Sequence, residues 1–145
     1  RCQQVAIVSE DGHVHELYMA AGQGWQHADI SAITGAPPAT NELTGYAWDR
    51  GHSKQIAYVG RDNRIHELFV EAGKTWQHVD LTTLSQSPVT PVTSLVGYAW
   101  SAGDSKQVAY VDNDGNIREL WMPHHSDWKA TNLSSIVMAA VPVRF

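Results

Sequence analysis

The sequence states one pattern three times, and the period of that pattern restricts the fold more than any other feature. Residues 4–8 read QVAIV, residues 55–59 QIAYV and residues 107–111 QVAYV, each followed by a near copy of DGxIHEL and then by a Trp. Trp25, Trp76 and Trp128 are spaced by 51 and 52 residues. A period near fifty filled with short alternating strands predicts repeated four-stranded blades rather than one mixed core. Each repeat is too small to bury a core of its own, so the core is expected between repeats.

The totals narrow the partners. The chain has 145 residues, a net charge of −5 and only 10 Lys and Arg, none in runs, which gives nucleic acid or an anionic membrane little to bind. No apolar run approaches the ~18 residues of a membrane span. Cys2 is the single cysteine and allows no intrachain disulfide, so either redox compartment is compatible. No signal segment opens the chain, which begins with Arg1 almost directly at a strand; we read this as processing or truncation. Compartment is left open by the sequence, with action outside the cell compatible.

One repeat shows the organisation. Strands are expected at 43–48, 55–59, 64–70 and 76–81, joined by polar turns, with a long connection at 82–94 before the pattern restarts at 95–100. The dipeptides Asp11-Gly12 and Asp114-Gly115 mark the hairpins between second and third strands. Long links suit the crossover from the outermost strand of one blade to the innermost strand of the next. The Gly-Tyr-Ala-Trp strand is then innermost, and Gly45, Ala47, Gly97 and Ala99 fit crowding near a propeller axis. The expected architecture is an all-β propeller segment in which the repeats span about 4–48, 55–100 and 107–145. The first blade lacks an inner strand, and residues 140–145 stand where a spare one belongs. Three blades are too few to close a ring of about four to eight. Completion by a second copy, giving six blades, is the leading expectation; a fragment of a larger propeller is the other.

Recurrence also selects the candidate site residues. Glu16, Glu67 and Glu119 occupy one place on the third strands, where a carboxylate on a packed face needs a partner or solvent. Gln4, Gln55 and Gln107 precede them by twelve residues on the neighbouring strand and are expected beside them. An amide next to a carboxylate offers the donors and acceptors that hydroxyl groups need. Trp25, Trp76 and Trp128 open the fourth strands, Trp48 and Trp100 close the first strands, and Tyr58 lies on a second strand; an aromatic face at a blade rim suits the apolar side of a sugar ring.

Other chemistry is argued against. His15 and His66 recur one per blade, as do His27 and His78, which places them in separate blades rather than around one ion, and no metal or cofactor is expected. The run from Asp112 to Gly115 resembles the start of a calcium loop, but its twelfth position is Pro123 instead of Glu. There is no nucleophile elbow, no phosphate loop and no asymmetric triad. Three near-equal sites point to multivalent binding, not catalysis.

These motifs resemble those of two groups of β-propeller lectins: the fungal and bacterial fucose-binding lectins, and more closely the Photorhabdus-type lectins, through QIAYV, IHEL, WQHxDL and GYAW. The likeness covers almost the whole chain. It implies binding of glycans or monosaccharides, fucose-like or methylated, in shallow pockets between blades. In the fucose-binding family an Arg, a Glu and a Trp of the neighbouring blade hold the sugar. The Glu would be Glu16, Glu67 or Glu119, while the Arg place holds Gln4, Gln55 and Gln107. The third repeat departs furthest, with Arg118, Trp121 and the residues Pro142, Val143 and Arg144, so its site is expected to be altered or silent. The alternatives are a protein-interaction propeller, including a module of a larger toxin or adhesin, and a glycoside-processing enzyme, which would need two close carboxylates.

Overall fold

The computed structural model describes residues 2–137 and residue 145. The chain forms three antiparallel sheets. The first contains β1 (Cys2–Val8), β2 (Val14–Ala20) and β3 (Gln26–Asp29). The second contains β4 (Ala39–Trp48), β5 (Ser53–Gly60), β6 (Ile65–Glu71) and β7 (Gln77–Asp80). The third contains β8 (Val92–Trp100), β9 (Ser105–Asp112), β10 (Ile117–Pro123) and β11 (Lys129–Asn132). Strands within each sheet are neighbours in chain order, which is the meander expected of blades. Among the described residues the first sheet has three strands and lacks the counterpart of β4 and β8.

The hairpins between second and third strands share one geometry. Gly12 N–H donates to Ser9 O, Asn63 N–H to Gly60 O and Gly115 N–H to Asp112 O, each turn ending in a residue at positive φ (92°, 60° and 78°). Glycine adopts that conformation without a Cβ penalty, and asparagine is the side-chain residue that tolerates it best. The middle blade therefore keeps the turn without the Asp-Gly dipeptide.

Two elements depart from the sequence reading. The fourth strand of the middle blade stops at Asp80, and Leu81 opens α2 (Leu81–Leu84), so the expected strand to residue 81 is corrected and the long link begins as a helical turn. Asp80 turns the chain: its side chain accepts from Thr83 N–H (2.9 Å) as an N-cap. Asp29 does the same for α1 (Ile30–Thr34) through Ala32 N–H (2.9 Å), and α3 (Leu133–Val137) follows β11. The first strands are also longer than expected, starting at Ala39 and Val92, each with a register irregularity near its start. The expected C-terminal strand falls outside the described residues apart from Phe145, whose N–H donates to Ser94 Oγ on β8 (3.2 Å).

No sheet has a core of its own. Ala57, Val59 and Ile65 of the second blade pack with Val108, Tyr110 and Leu120 of the third. Ile56, Tyr58 and Leu68, on the opposite face of the second blade, pack with Val14 and Ile30 of the first. Among the described residues the middle blade is thus packed between the other two, whereas the far face of the first blade is open and that of the third is buried at Ala109 and Val111 but open at Tyr98 and Trp100. Val5 and Ile7 are 49% and 41% exposed, whereas their counterparts Ile56 and Tyr58 are 4% and 0% exposed. Crowding at the inner strands appears at Gly97, where a Cβ would collide with the Tyr46 ring.

Candidate functional site

Strand alternation sends two sets of side chains into each junction. From the leading blade come the carboxylate of the third strand and the aromatic residues beside it; from the following blade comes a lysine on the second strand. Between the first and second blades Lys54 Nζ lies 2.5 Å from Glu16 Oε1, 5.1 Å from the Trp76 ring centre and 5.8 Å from that of Tyr18. Between the second and third blades Lys106 pairs with the fully buried Glu67, and its Nζ stands 5.0, 5.3 and 5.8 Å from the rings of Trp128, Phe69 and Trp48. Tyr46 Oη donates to the other oxygen of Glu67 (2.5 Å). Burial, the Glu67 charge and this bond push the Tyr46 hydroxyl well above its ordinary pKa. Each ammonium thus sits in an aromatic enclosure with its counter-ion.

Lys54 and Lys106 are the site residues that sequence reading missed. Their signal was present: each precedes the recurring Gln by one residue, while the first repeat has Gln3 there. The junctions carry grooves above these pairs. One of about 310 Å³ is lined by Gln4, Glu16, Tyr46, Lys54, Gln55 and Trp76 among others, and one of about 1360 Å³ by Trp48, Glu67, Lys106, His124 and Trp128 among others.

The expected pairing of Gln with Glu is corrected by the register. Gln55 stands opposite Phe69 and Ala57 opposite Glu67; Gln4 and Gln107 are likewise opposite Tyr18 and Trp121. Amide and carboxylate share a face but are diagonal neighbours. Gln55 Nε2 instead donates to Ser53 Oγ and Gln107 Nε2 to Ser105 Oγ, leaving both buried Oε1 atoms without a partner among the described residues. Trp48 Nε1 is in the same condition.

On the third blade the same face is open at Tyr98 and Trp100, while Gln107, Ala109 and Val111 on it are buried. Tyr98 Oη donates to Glu119 Oε1 (2.7 Å), Trp121 Nε1 is held by Thr131 Oγ1 (3.0 Å), and no cation among the described residues pairs with Glu119. Burial first, and then the bond to Glu119, push the Tyr98 hydroxyl up, so it stays a donor. A pocket of about 330 Å³ is lined by Tyr98, Trp100, Gly103, Ser105, Gln107, Glu119 and Trp121. Trp100 is 59% exposed; its counterpart Trp48 is 6% exposed, covered by an edge-on His124 (5.3 Å). The repeat expected to be altered or silent therefore carries the least buried of the three recurring carboxylates.

Of the remaining candidates, Tyr58 lies wholly in the core, stacked on His66 and donating to Pro37 O (2.9 Å). Trp25 is exposed on the uncovered face of the first blade. The recurring histidines meet in pairs within blades: His15 and His27 share a hydrogen bond (3.0 Å), as do His66 and His78 (3.0 Å). In the third blade Arg118 takes the place of that His and donates to Asp112 Oδ2 (2.6 Å).

Comparison with solved structures agrees with this architecture. The chain superposes on a lectin from Burkholderia pseudomallei with a TM-score of 0.70 at 16% identity, covering 88% of this chain and 36% of that one. A fucose lectin from Kordia zhangzhouensis, solved with methyl-fucoside, gives 0.61 at 15% identity, covering 90% and 89%. A variant of the Aleuria aurantia lectin, solved with α-methyl-L-fucoside, gives 0.65 at 19% identity, covering 89% and 41%. The chain thus spans a minor part of the first and last and most of the second. No protein-family model and no curated protein sequence matches it. The fold is that of a β-propeller segment of the kind found in these lectins; the Photorhabdus-type likeness rests on the sequence motifs.

Proposed function

We propose that this protein is a non-catalytic carbohydrate-binding lectin that takes monosaccharides at the blade faces carrying Gln, Glu and aromatic residues. The observation that supports it most is the pocket on the third blade. There the unpartnered oxygen of buried Gln107 and the open carboxylate of Glu119 lie among Tyr98, Trp100 and Trp121. Buried polar atoms without partners call for a ligand or water, and flat apolar walls beside acceptors suit a sugar ring with its hydroxyls. The neutral amide where the fucose-binding family has an Arg favours a hydroxyl-rich neutral ligand over an anionic one. Hydrolysis is disfavoured because the recurring carboxylates are distributed one to a blade.

Fucose-like and methylated sugars are the first candidates, since three of the structural neighbours were solved with a methyl-fucoside. A glycan array followed by calorimetry with α-methyl-L-fucoside and O-methylated hexoses tests the reading. Saturable binding to at least one sugar is expected; folded protein that binds none overturns it.

A further inference from the structure

Each of the first two blades brings two imidazole nitrogens face to face. His15 Nδ1 lies 3.0 Å from His27 Nε2, and His66 Nδ1 lies 3.0 Å from His78 Nε2. Comparing repeats sets these histidines apart, one of each kind to a blade; the register of the third and fourth strands joins them, His15 standing opposite Asp29 and His27 opposite Leu17. In the third blade both places are lost, to Arg118 and Ala130. Neighbouring groups fix the tautomers. Ser9 Oγ has Asp11 Oδ1 (2.5 Å) and His13 O (3.1 Å) as acceptors for its one proton, so its contact with His15 Nε2 (3.0 Å) has the ring as donor. His15 Nδ1 is then bare and turned toward His27. Asp62 has the same effect in the second blade by accepting from His66 Nε2 (3.1 Å). A ring held through one nitrogen, with the other bare, is the arrangement shared by metal-ligating histidines.

We propose that His15 Nδ1 and His27 Nε2 of the first blade hold a divalent transition-metal ion, nickel(II) or copper(II), with water in its remaining positions. Two protein ligands are all the site has, since among the described residues no three His, Cys, Asp or Glu side chains converge on one point. The spacing selects the metal. Nitrogens 3.0 Å apart with bonds of about 2.0–2.1 Å subtend about 91–97° at the ion, the cis angle of a square-planar or octahedral site, whereas tetrahedral zinc needs them about 3.4 Å apart. Exposure selects the blade. His27 is exposed, so its ring is free to turn Nε2 onto the ion, to move its proton from Nε2 to Nδ1 and to leave that N–H to solvent. His66 is 2% exposed and stacked on Tyr58, which leaves an ion neither room nor water. The carboxylates of Asp11 and Asp29, held by Ser9 and His13, add negative charge beside the first pair. An ion bound there ties β2 to β3, the last strand of the sheet that has three strands among the described residues.

Calorimetry of the full chain with nickel chloride at about pH 8, where free imidazole is neutral, tests this without any sugar present. One nickel ion per chain is expected, together with a thermal midpoint that rises with nickel concentration. His27→Gln, at an exposed position that leaves the fold intact, should abolish the binding. Ser9→Ala should weaken it about tenfold or more by freeing the His15 ring, and His78→Gln should leave it unchanged. Zinc chloride should bind more weakly than nickel chloride. A chain that binds no nickel overturns the proposal. So does binding that survives His27→Gln, which puts the ion elsewhere, as at the adjacent His124 and His125, and so does binding that His78→Gln removes. Zinc held more tightly than nickel overturns the assigned geometry.

Discussion

Trp48 and Trp100 hold the same place in successive repeats, yet one is sealed and the other open. The difference lies in what covers them and not in their own blades. Trp48 lies beneath His124 and beside Lys106, both supplied by the next repeat. Trp100 has no such cover among the described residues. Equivalent side chains are therefore sealed in the middle blade and accessible around Trp100 in the third, and the neighbour decides between the two states.

The largest expected effect tests the sealed side. Lys106→Met leaves Glu67 charged and without its counter-ion, which should cost about 3–5 kcal/mol in urea unfolding. Lys54→Met should cost less because Lys54 is partly exposed and water can replace it at Glu16. Equal costs would mean that the two junctions are not graded by burial. Next in size, Gly97→Ala drives a methyl into the Tyr46 ring and should cost about 1–3 kcal/mol. The same change at Gly45, whose nearest neighbour would be Gln55 O at 3.8 Å, should stay within about 0.5 kcal/mol.

Acid should act in two stages. Burial, and then the neighbouring His66, lower the pKa of His78, so the unfolded chain takes up a proton first. That contribution to stability is complete above the ordinary histidine value of ~6.5 and declines as pH falls below it. Burial raises the carboxyls of Asp29, Asp80 and Asp112, but hydrogen bonds from Ala32 and His13, from Thr83, and from Arg118 and Asn116 outweigh it and leave all three lowered. Their contribution is present above ~3.9 and is lost as pH falls through the lower folded values. Unfolding midpoints measured from pH 8 to 3 check both stages, and His78→Gln should remove only the first. The smallest effect is expected on the open side: Tyr98→Phe should change stability by less than about 0.5 kcal/mol, while weakening sugar binding through loss of the donor that orients Glu119. A stability loss as large as that of Lys106→Met would show the open face to be structural.

Much of the fold was legible because its causes are local. The period, the alternation and the Asp-Gly turns act over a few residues, and the order of strands follows from turn lengths. The register was less legible. Taking the turn centre one residue too early moved each Gln from a diagonal place to a position beside its Glu. The helices of four and five residues are too short to show a period, and only the capping Asp29, Asp80 and Asn132 announced them. The lysines escaped because their partners lie 38 and 39 residues away in a different sheet, a distance at which pattern is silent and only recurrence speaks. Substitutions in the third repeat were legible by comparing repeats, and so was Gln3 in the place that Lys54 and Lys106 hold.

The middle sheet, clasped on both faces, has a kinetic consequence. In an array where each unit holds only its neighbours, opening begins at the ends. Amide hydrogens of β5 and β6 should be the last to exchange with deuterated solvent, while those of β1 and β11 fray early. Association of copies would erase that gradient, turning two soft ends into two more interiors.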